Sequence, residues 1–289
     1  MDRRDFLKAF GVATGTALIK SSPLKAENVP ASTEFKAILV DTTRCVGCRS
    51  CEEACAMQNN LPEPDLDDSV LEKERKPSLT QYSVINRFDT EKGEVFVKRQ
   101  CMHCNQPACA SACLTKAMYK TKEGPVIWRE NKCMGCRYCM IACPFGIPQF
   151  EYNSPMPKIQ KCTMCWARLK DGEIPACVEN CPAEAIIFGD RREILEIARQ
   201  RIYQNPDDYV HHIYGEHEVG GTGWLYLSAV PFEQIGFKNA VGEKPPAEYT
   251  KGFLYSVPVI LTLWPAFLLA LHNSAKENET REESEDLHG

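Results

Sequence analysis

The chain has 289 residues, with 39 acidic against 34 basic side chains and a formal net charge of −5. That balance, without a long basic stripe, gives no reason to expect nucleic acid as a partner, and the length allows one large or two small domains. Composition is ordinary apart from 19 prolines and 16 cysteines, and the cysteines organise everything else.

In chain order, Arg3-Arg4-Asp5-Phe6-Leu7-Lys8 leads into an apolar run from Ala9 to Ile19, closed by Lys20. A charged start before a short apolar stretch predicts an export signal over residues 1–31 rather than a spanning helix. The paired arginines followed by Phe-Leu-Lys resemble the twin-arginine type, and the competing reading is an amphipathic first helix. Leu24-Lys25-Ala26 and Val29-Pro30-Ala31 are both imperfect cleavage sites. Export of an already folded chain suits one whose metal groups are inserted in a reducing compartment.

Residues 35–190 hold the cysteines in four groups of four. Cys45, Cys48, Cys51 and Cys55 read C-x2-C-x2-C-x3-C. A polar, proline-bearing loop from Leu61 to Lys76 follows, then alternation over Gln81–Phe88 and Glu94–Val97 around Gly93, which predicts a hairpin. The second group, Cys101, Cys104, Cys109 and Cys113, stretches one gap to four residues. Thr121-Lys122-Glu123-Gly124 then predicts a turn between short strands at Ala117–Lys120 and Val126–Trp128. Cys133, Cys136, Cys139 and Cys143 repeat the first spacing and add Pro144. Cys162, Cys165, Cys177 and Cys181 stretch one gap to eleven and end in Pro182.

Beyond the cysteines, Ala185–Phe188 predicts a strand. Asp190 with Glu193 resembles a capping box opening a helix that carries Ile194, Leu195, Ile197 and Ile202. The extension 191–252 is otherwise loop-rich from Gln204 onward. Phe253 to Leu271 is free of charge and long enough, at about 29 Å as a helix, to cross a bilayer. Pro258 and Pro265 would break a soluble helix but are tolerated in a membrane; a buried core helix or a hairpin is the alternative. Residues 272–289 form a polar tail.

A cubane iron–sulfur cluster needs four thiolates at tetrahedral corners. Three come from one tight loop with two-residue gaps, and the fourth is carried off to the neighbouring cluster of a two-cluster unit. Structural zinc would instead use two C-x2-C pairs and a long spacer, and disulfides call for no triplet with a displaced fourth residue. All sixteen cysteines are used, so four [4Fe–4S] clusters are expected. The proline after the fourth cysteine is missing at Ala56 and Leu114 without loss of a ligand, and Trp166 sits beside Cys165 without replacing it. Lys132, Arg137 and Lys161, adjacent to ligands, could raise cluster potentials or be plain surface charge. His103, between ligands, reads as a packing or hydrogen-bonding neighbour. No nucleophile, phosphate loop or flavin motif accompanies these sites, which points to a non-catalytic electron carrier.

The order of the groups resembles that of the four-cluster ferredoxin-like subunits of membrane-bound oxidoreductases over roughly Phe35 to Phe237. The fold implied is α+β, a duplicated bacterial-ferredoxin-like pair of [4Fe–4S] domains with an inserted hairpin and a C-terminal transmembrane helix. The resemblance implies that outer groups pair with outer and inner with inner. One cluster would use Cys45, Cys48, Cys51 and Cys181, and its neighbour Cys162, Cys165, Cys177 and Cys55. The inner two would use Cys101, Cys104, Cys109 with Cys143, and Cys133, Cys136, Cys139 with Cys113. The export signal, Cys101-Met102-His103-Cys104, Cys133-Met134-Gly135-Cys136-Arg137-Tyr138-Cys139, Tyr214-Gly215-Glu216 and Gly220-Gly221-Thr222 are similar to the HybA family, which serves periplasmic [NiFe] hydrogenases. That implies partnership with hydrogenase small and large subunits and with a quinone-reactive integral membrane subunit, on the periplasmic face of a bacterial inner membrane with a single-pass anchor. The alternative is the β subunit of a formate dehydrogenase or another molybdopterin oxidoreductase.

Overall fold

The computed structural model describes residues Phe35–Asp286, with side chains to Lys276. The export signal expected over residues 1–31 lies outside the described residues. The first strand, β1 (Lys36–Asp41), is buried from Ala37 to Asp41. Continuous burial marks a strand covered on both faces. Helix α1 (Ser50–Gln58) carries Cys51 and Cys55. The hairpin β2 (Val84–Thr90) and β3 (Gly93–Arg99) turns through Glu91 and Lys92, in a register running from Val84 opposite Arg99 to Thr90 opposite Gly93.

Short elements then alternate with the cysteine loops: α2 (Ala108–Ser111), β4 (Met118–Lys120), β5 (Val126–Trp128), α3 (Tyr138–Ala142), β6 (Gln149–Phe150), β7 (Ile159–Gln160), α4 (Trp166–Lys170) and α5 (Ala176–Glu179). β8 (Ile186–Asp190) runs directly into α6 (Arg191–Gln204), and β9 (Trp224–Leu227), α7 (Pro246–Tyr249) and α8 (Lys251–Asp286) complete the order.

β1 is the middle strand of a sheet ordered β8-β1-β9, antiparallel to β8 and parallel to β9. Side chains alternate across such a sheet, and each face has its own core. Ile38, Val40, Ile186, Trp224 and Tyr226 share one cluster with Cys51, Cys177 and Ile85. Ala37, Leu39, Leu225 and Leu227 face the other way, against Ile194, Leu195 and Ala198 of α6. The stretch from Gln204 to Gly252 therefore supplies a buried strand, β9, which its glycine-rich flanks hide in the sequence. It also supplies an aromatic knot in which the Tyr214 and Tyr226 rings lie 4.5 and 4.8 Å from Phe237, with the Arg99 guanidinium 4.2 Å over Phe237.

One expectation is corrected in detail. The α6 helix begins where the capping-box pattern places it, but Asp190 makes no side-chain cap. Its carboxylate accepts from Lys36 Nζ at 2.6 Å instead, fastening the helix entry to the start of β1.

Helix α8 continues through Pro258 and Pro265 and is 36 residues long. Its apolar side chains from Phe253 to Leu271 are exposed, Phe253 at 72% and Leu261 at 68%. It is the one helix among the described residues long and apolar enough to cross a membrane. Exposure excludes the buried-core alternative, because a continuous apolar surface of this kind needs lipid or a partner to cover it.

Candidate metal centres

The four cysteine loops share one backbone device. In each, the residue before the second cysteine is left-handed: Gly47 at φ 69°, His103 at 48°, Gly135 at 72° and Met164 at 54°. This turn swings the chain back so that flanking sulfurs face a common centre. Methionine and histidine there accept a conformation costing about 1–2 kcal/mol for an L-residue. A second left-handed residue stands three positions after the fourth cysteine in three groups, at Lys116, Gly146 and Glu184. The repeat visible as spacing in the sequence is thus also a repeat of backbone geometry.

Cys45, Cys48, Cys51 and Cys181 line one cavity, walled by Val40, Ile85 and Ile186. Cys55, Cys162, Cys165 and Cys177 line a second, walled by Met164, Pro175 and Trp224. The other eight thiols fall into two further sets close enough for their charges to act on one another. Cys104 feels Cys101, Cys143 and Cys109, and Cys139 feels Cys113, Cys133 and Cys136. Cys177 thus lines the same cavity as Cys162 and Cys165 despite the eleven-residue gap before it.

The quartets also stand in sequence. Cys51 acts on Cys177, joining the first set to the second. Cys162 acts on Cys101, joining the second to the third, and Cys109 on Cys139, joining the third to the fourth. Only Cys48 and Cys136 of the sixteen are exposed, and they belong to the first and last sets.

All sixteen cysteines are free thiols. Among the described residues no three His, Cys, Asp or Glu side chains converge tightly enough to hold a single ion. The sulfurs are spread around cavities, as a multi-iron body requires and a lone zinc does not. Burial pushes the Cys177 and Cys109 thiols up to about 12 and the Cys139 thiol to about 11, so thiolates at these three need positive charge beside them. Cys113 moves the other way, because the Met118 N–H, 3.3 Å from its sulfur, and other donors outweigh burial and lower it. The Met164 N–H likewise donates to Cys162 Sγ at 3.3 Å. Trp224 Nε1 and His103 Nε2 are buried without a protein partner, orphaned positions that a sulfide-bearing group could satisfy. These donors and cavities fit [4Fe–4S] clusters.

Of the cations expected to matter, Lys161 is buried, donating to the Cys162 carbonyl at 3.0 Å and to the Val126 carbonyl. Lys132 and Arg137 are exposed, with Arg137 5.5 Å from the Phe150 ring and 5.6 Å from Tyr152. His103 accepts from the Val126 N–H at 2.8 Å through Nδ1, as a neighbour and not a ligand.

Three features escaped the sequence reading. Glu52, one residue after Cys51, is buried and bridges Arg49 at 3.2 Å and Arg75 at 2.6 Å while accepting from the Ile85 N–H. The network ties α1 to the loop and hairpin that follow it. Gly221 and Gly223 brace the second cysteine loop. The Gly221 carbonyl accepts from the Asn105 N–H at 2.9 Å, and the Gly223 N–H donates to the Met102 carbonyl at 2.9 Å. Lys98 of β3 is buried between the first two cavities. Burial would disfavour its charge, but the thiols of Cys51, Cys177, Cys55 and Cys162 outweigh that and raise its pKa. A lysine on a hairpin reads as solvent-facing by default, so no sequence signal marks it.

Residues 93–191 match the model of a 4Fe-4S dicluster domain. A protein of Nitratidesulfovibrio vulgaris is 46% identical over 96% of this chain and 78% of its own. The hydrogenase-2 operon protein HybA of Escherichia coli O157:H7 is 36% identical over 81% of this chain and 83% of its own. The iron-sulfur subunit of the nitrate-inducible formate dehydrogenase of E. coli K12 is 34% identical over 65% and 66%.

Proposed function

The chain belongs to the HybA-like family of ferredoxin-type iron–sulfur electron-transfer subunits, and from that premise we propose that it holds four [4Fe–4S] clusters in line between a periplasmic [NiFe] hydrogenase and a quinone-reactive membrane subunit. The single observation that carries this reading is the succession of four thiol quartets with an exposed cysteine only in the first and last. Bound there, each cluster supplies one-electron redox chemistry.

The protein's own residues hold, insulate and present these groups. Cys45, Cys48, Cys51 and Cys181 take the first; Cys162, Cys165, Cys177 and Cys55 the second. Cys101, Cys104, Cys109 and Cys143 take the third; Cys133, Cys136, Cys139 and Cys113 the fourth. Ile85, Ile186, Trp224 and Met164 exclude water from the first two, whereas Leu114, Met134, Tyr138 and Ile141 lie exposed around the fourth.

The ends of the line are distinguishable. α7 packs beside α2, which carries Cys109, and α7 leads into the apolar α8. That contact favours the inner pair, through the third quartet's Cys109, as the membrane side of the line, and the first quartet, with Cys48 exposed, as the side left for the catalytic partner. The twin-arginine reading of residues 1–31 supplies the periplasmic location, with α8 as a single-pass anchor. In domain terms this is a four-cluster unit over 35–190, an extension over 191–252 that completes its sheet, the anchor over 253–271 and a tail over 272–289.

The likeness to formate dehydrogenase iron–sulfur subunits makes a molybdopterin enzyme the second reading, with the same line attached to other chemistry. Metal analysis of the complex co-purified in mild detergent tests both. We expect at least about 16 iron atoms per copy of this chain, with the catalytic partner's own iron added to that, together with nickel. Molybdenum or tungsten in place of nickel would establish the second reading, and iron well below that level would reject the four-cluster assignment.

A further inference from the structure

Lys98 is the penultimate residue of β3, opposite Ile85 in the hairpin register, and is 2% exposed. Among the described residues it alone lines both the cavity of Cys45, Cys48, Cys51 and Cys181 and the cavity of Cys55, Cys162, Cys165 and Cys177. Two other lysines near the cysteines are held by backbone carbonyls. Lys120 donates to His103 and Cys104, and Lys161 to Val126 and Cys162. The Lys98 ammonium has neither a hydrogen bond nor an ion pair among the described residues, and its nearest ring is Trp224 at 5.5 Å.

Burying an ammonium with no partner is costly unless opposite charge stands close by. What surrounds Lys98 is eight cysteines in two sets, and a thiolate-bound cubane is an anion that gains a further negative charge when reduced. A cation between two such groups stabilises the reduced form of each.

We propose that Lys98 is a positioning charge shared by the first two clusters, holding both midpoint potentials up and close together. This rests on the assignment of clusters to those two cavities, which the iron content and spectra of the unaltered complex test independently.

The experiment is an EPR-monitored redox titration of the detergent-extracted complex carrying K98M or K98R, with iron measured alongside. In K98M we expect iron to be retained and two of four midpoint potentials to fall. Each should move by at least a tenfold change in the reduction equilibrium, about 59 mV for one electron, with the other two unmoved. K98R should restore both. Unmoved potentials with full iron, or an equal fall in all four, would overturn the proposal. If K98M loses iron, K98R decides. Full loading with two wild-type-like potentials supports a charge role, and the same loss of iron refutes it. Four intact clusters in the unaltered complex with no shift in K98M would defeat this inference alone, leaving the four-cluster assignment standing.

Discussion

The two ends of the proposed cluster line are built differently. The first quartet sits under a three-stranded sheet and is braced by a hairpin, a buried Arg49–Glu52–Arg75 network and Lys98. The fourth rests on two-stranded ladders of two or three residues, with Ile141 80% and Leu114 87% exposed beside it. Matching burial to a metal group protects its potential from water, while an electron can leave only where a cluster approaches the surface. The contrast shows that the chain spends most of its core around the first quartet, leaving Cys48 and Val46 as its opening, and little around the fourth.

Removing ligands breaks the contrast most severely. Cys51→Ser strikes a sulfur buried in the main core and should prevent a folded chain from accumulating, seen as loss of the protein from membrane extracts. Cys136→Ser, at an exposed thiol, should leave a folded protein lacking one cluster signal. Quinone reduction should stop while dye reduction by the catalytic partner continues; unchanged quinone reduction would sink the line of carriers.

Next in size is Glu52→Ala. It strands Arg49, 3% exposed, and Arg75, and uncompensated buried charge of this kind costs about 3–5 kcal/mol. A lowered guanidinium midpoint is the readout, and Glu52→Gln should recover only part of it. No equivalent network is described around the fourth quartet, so the loss is specific to the first.

Glycine substitutions sharpen the comparison further, because Gly47 and Gly135 occupy the same place in their loops with φ of 69° and 72°. A Cβ at Gly135 meets nothing nearer than Phe150 at 4.0 Å, whereas at Gly47 it falls 2.5 Å from the Phe96 ring. Gly135→Ala should cost only the left-handed strain, about 1–2 kcal/mol. Gly47→Ala should cost more, because Phe96 on β3 must move. Equal thermal midpoints for the two variants would contradict the packing described.

The smallest effect on stability is expected from Ile141→Glu, within about 0.5 kcal/mol for a surface change. Its measurable consequence should be weaker retention of the membrane subunit on purification. Undiminished co-purification would show that this face is not the docking surface.

Much of the site was legible before any coordinates, because iron–sulfur ligation is written in local spacing. The eleven-residue gap before Cys177 is filled by α4 and α5, which return Cys177 to the cavity shared with Cys162 and Cys165. Hairpin strands around Gly93 and the ladder at Val126–Trp128 were also readable from alternation. What escaped were long-range relations. Trp224-Leu225-Tyr226-Leu227 is four consecutive buried residues, too short to separate from its loop without knowing that β1 lies beside it. Lys98 and Glu52 carry charges that belong on surfaces by composition, and only the fold places them inside. Asp190 had the right identity for a cap, but Lys36, 154 positions away, claims its carboxylate.

The parallel pairing of β1 with β9 sets an order of events during synthesis. Trp224 is 186 residues downstream of its partner Ile38, and Cys45 shares its cavity with Cys181. Until residue 227 has left the ribosome, the central strand lacks one neighbour and the cavity of Cys55, Cys162, Cys165 and Cys177 lacks its tryptophan wall. The cysteines from Cys101 to Cys143 lie close in the chain, yet their first loop takes its brace from Gly221 and Gly223. Under the proposed ligand sets, closure of the sheet by the segment around Trp224 is therefore the step that completes the inner sites as well as the outer ones.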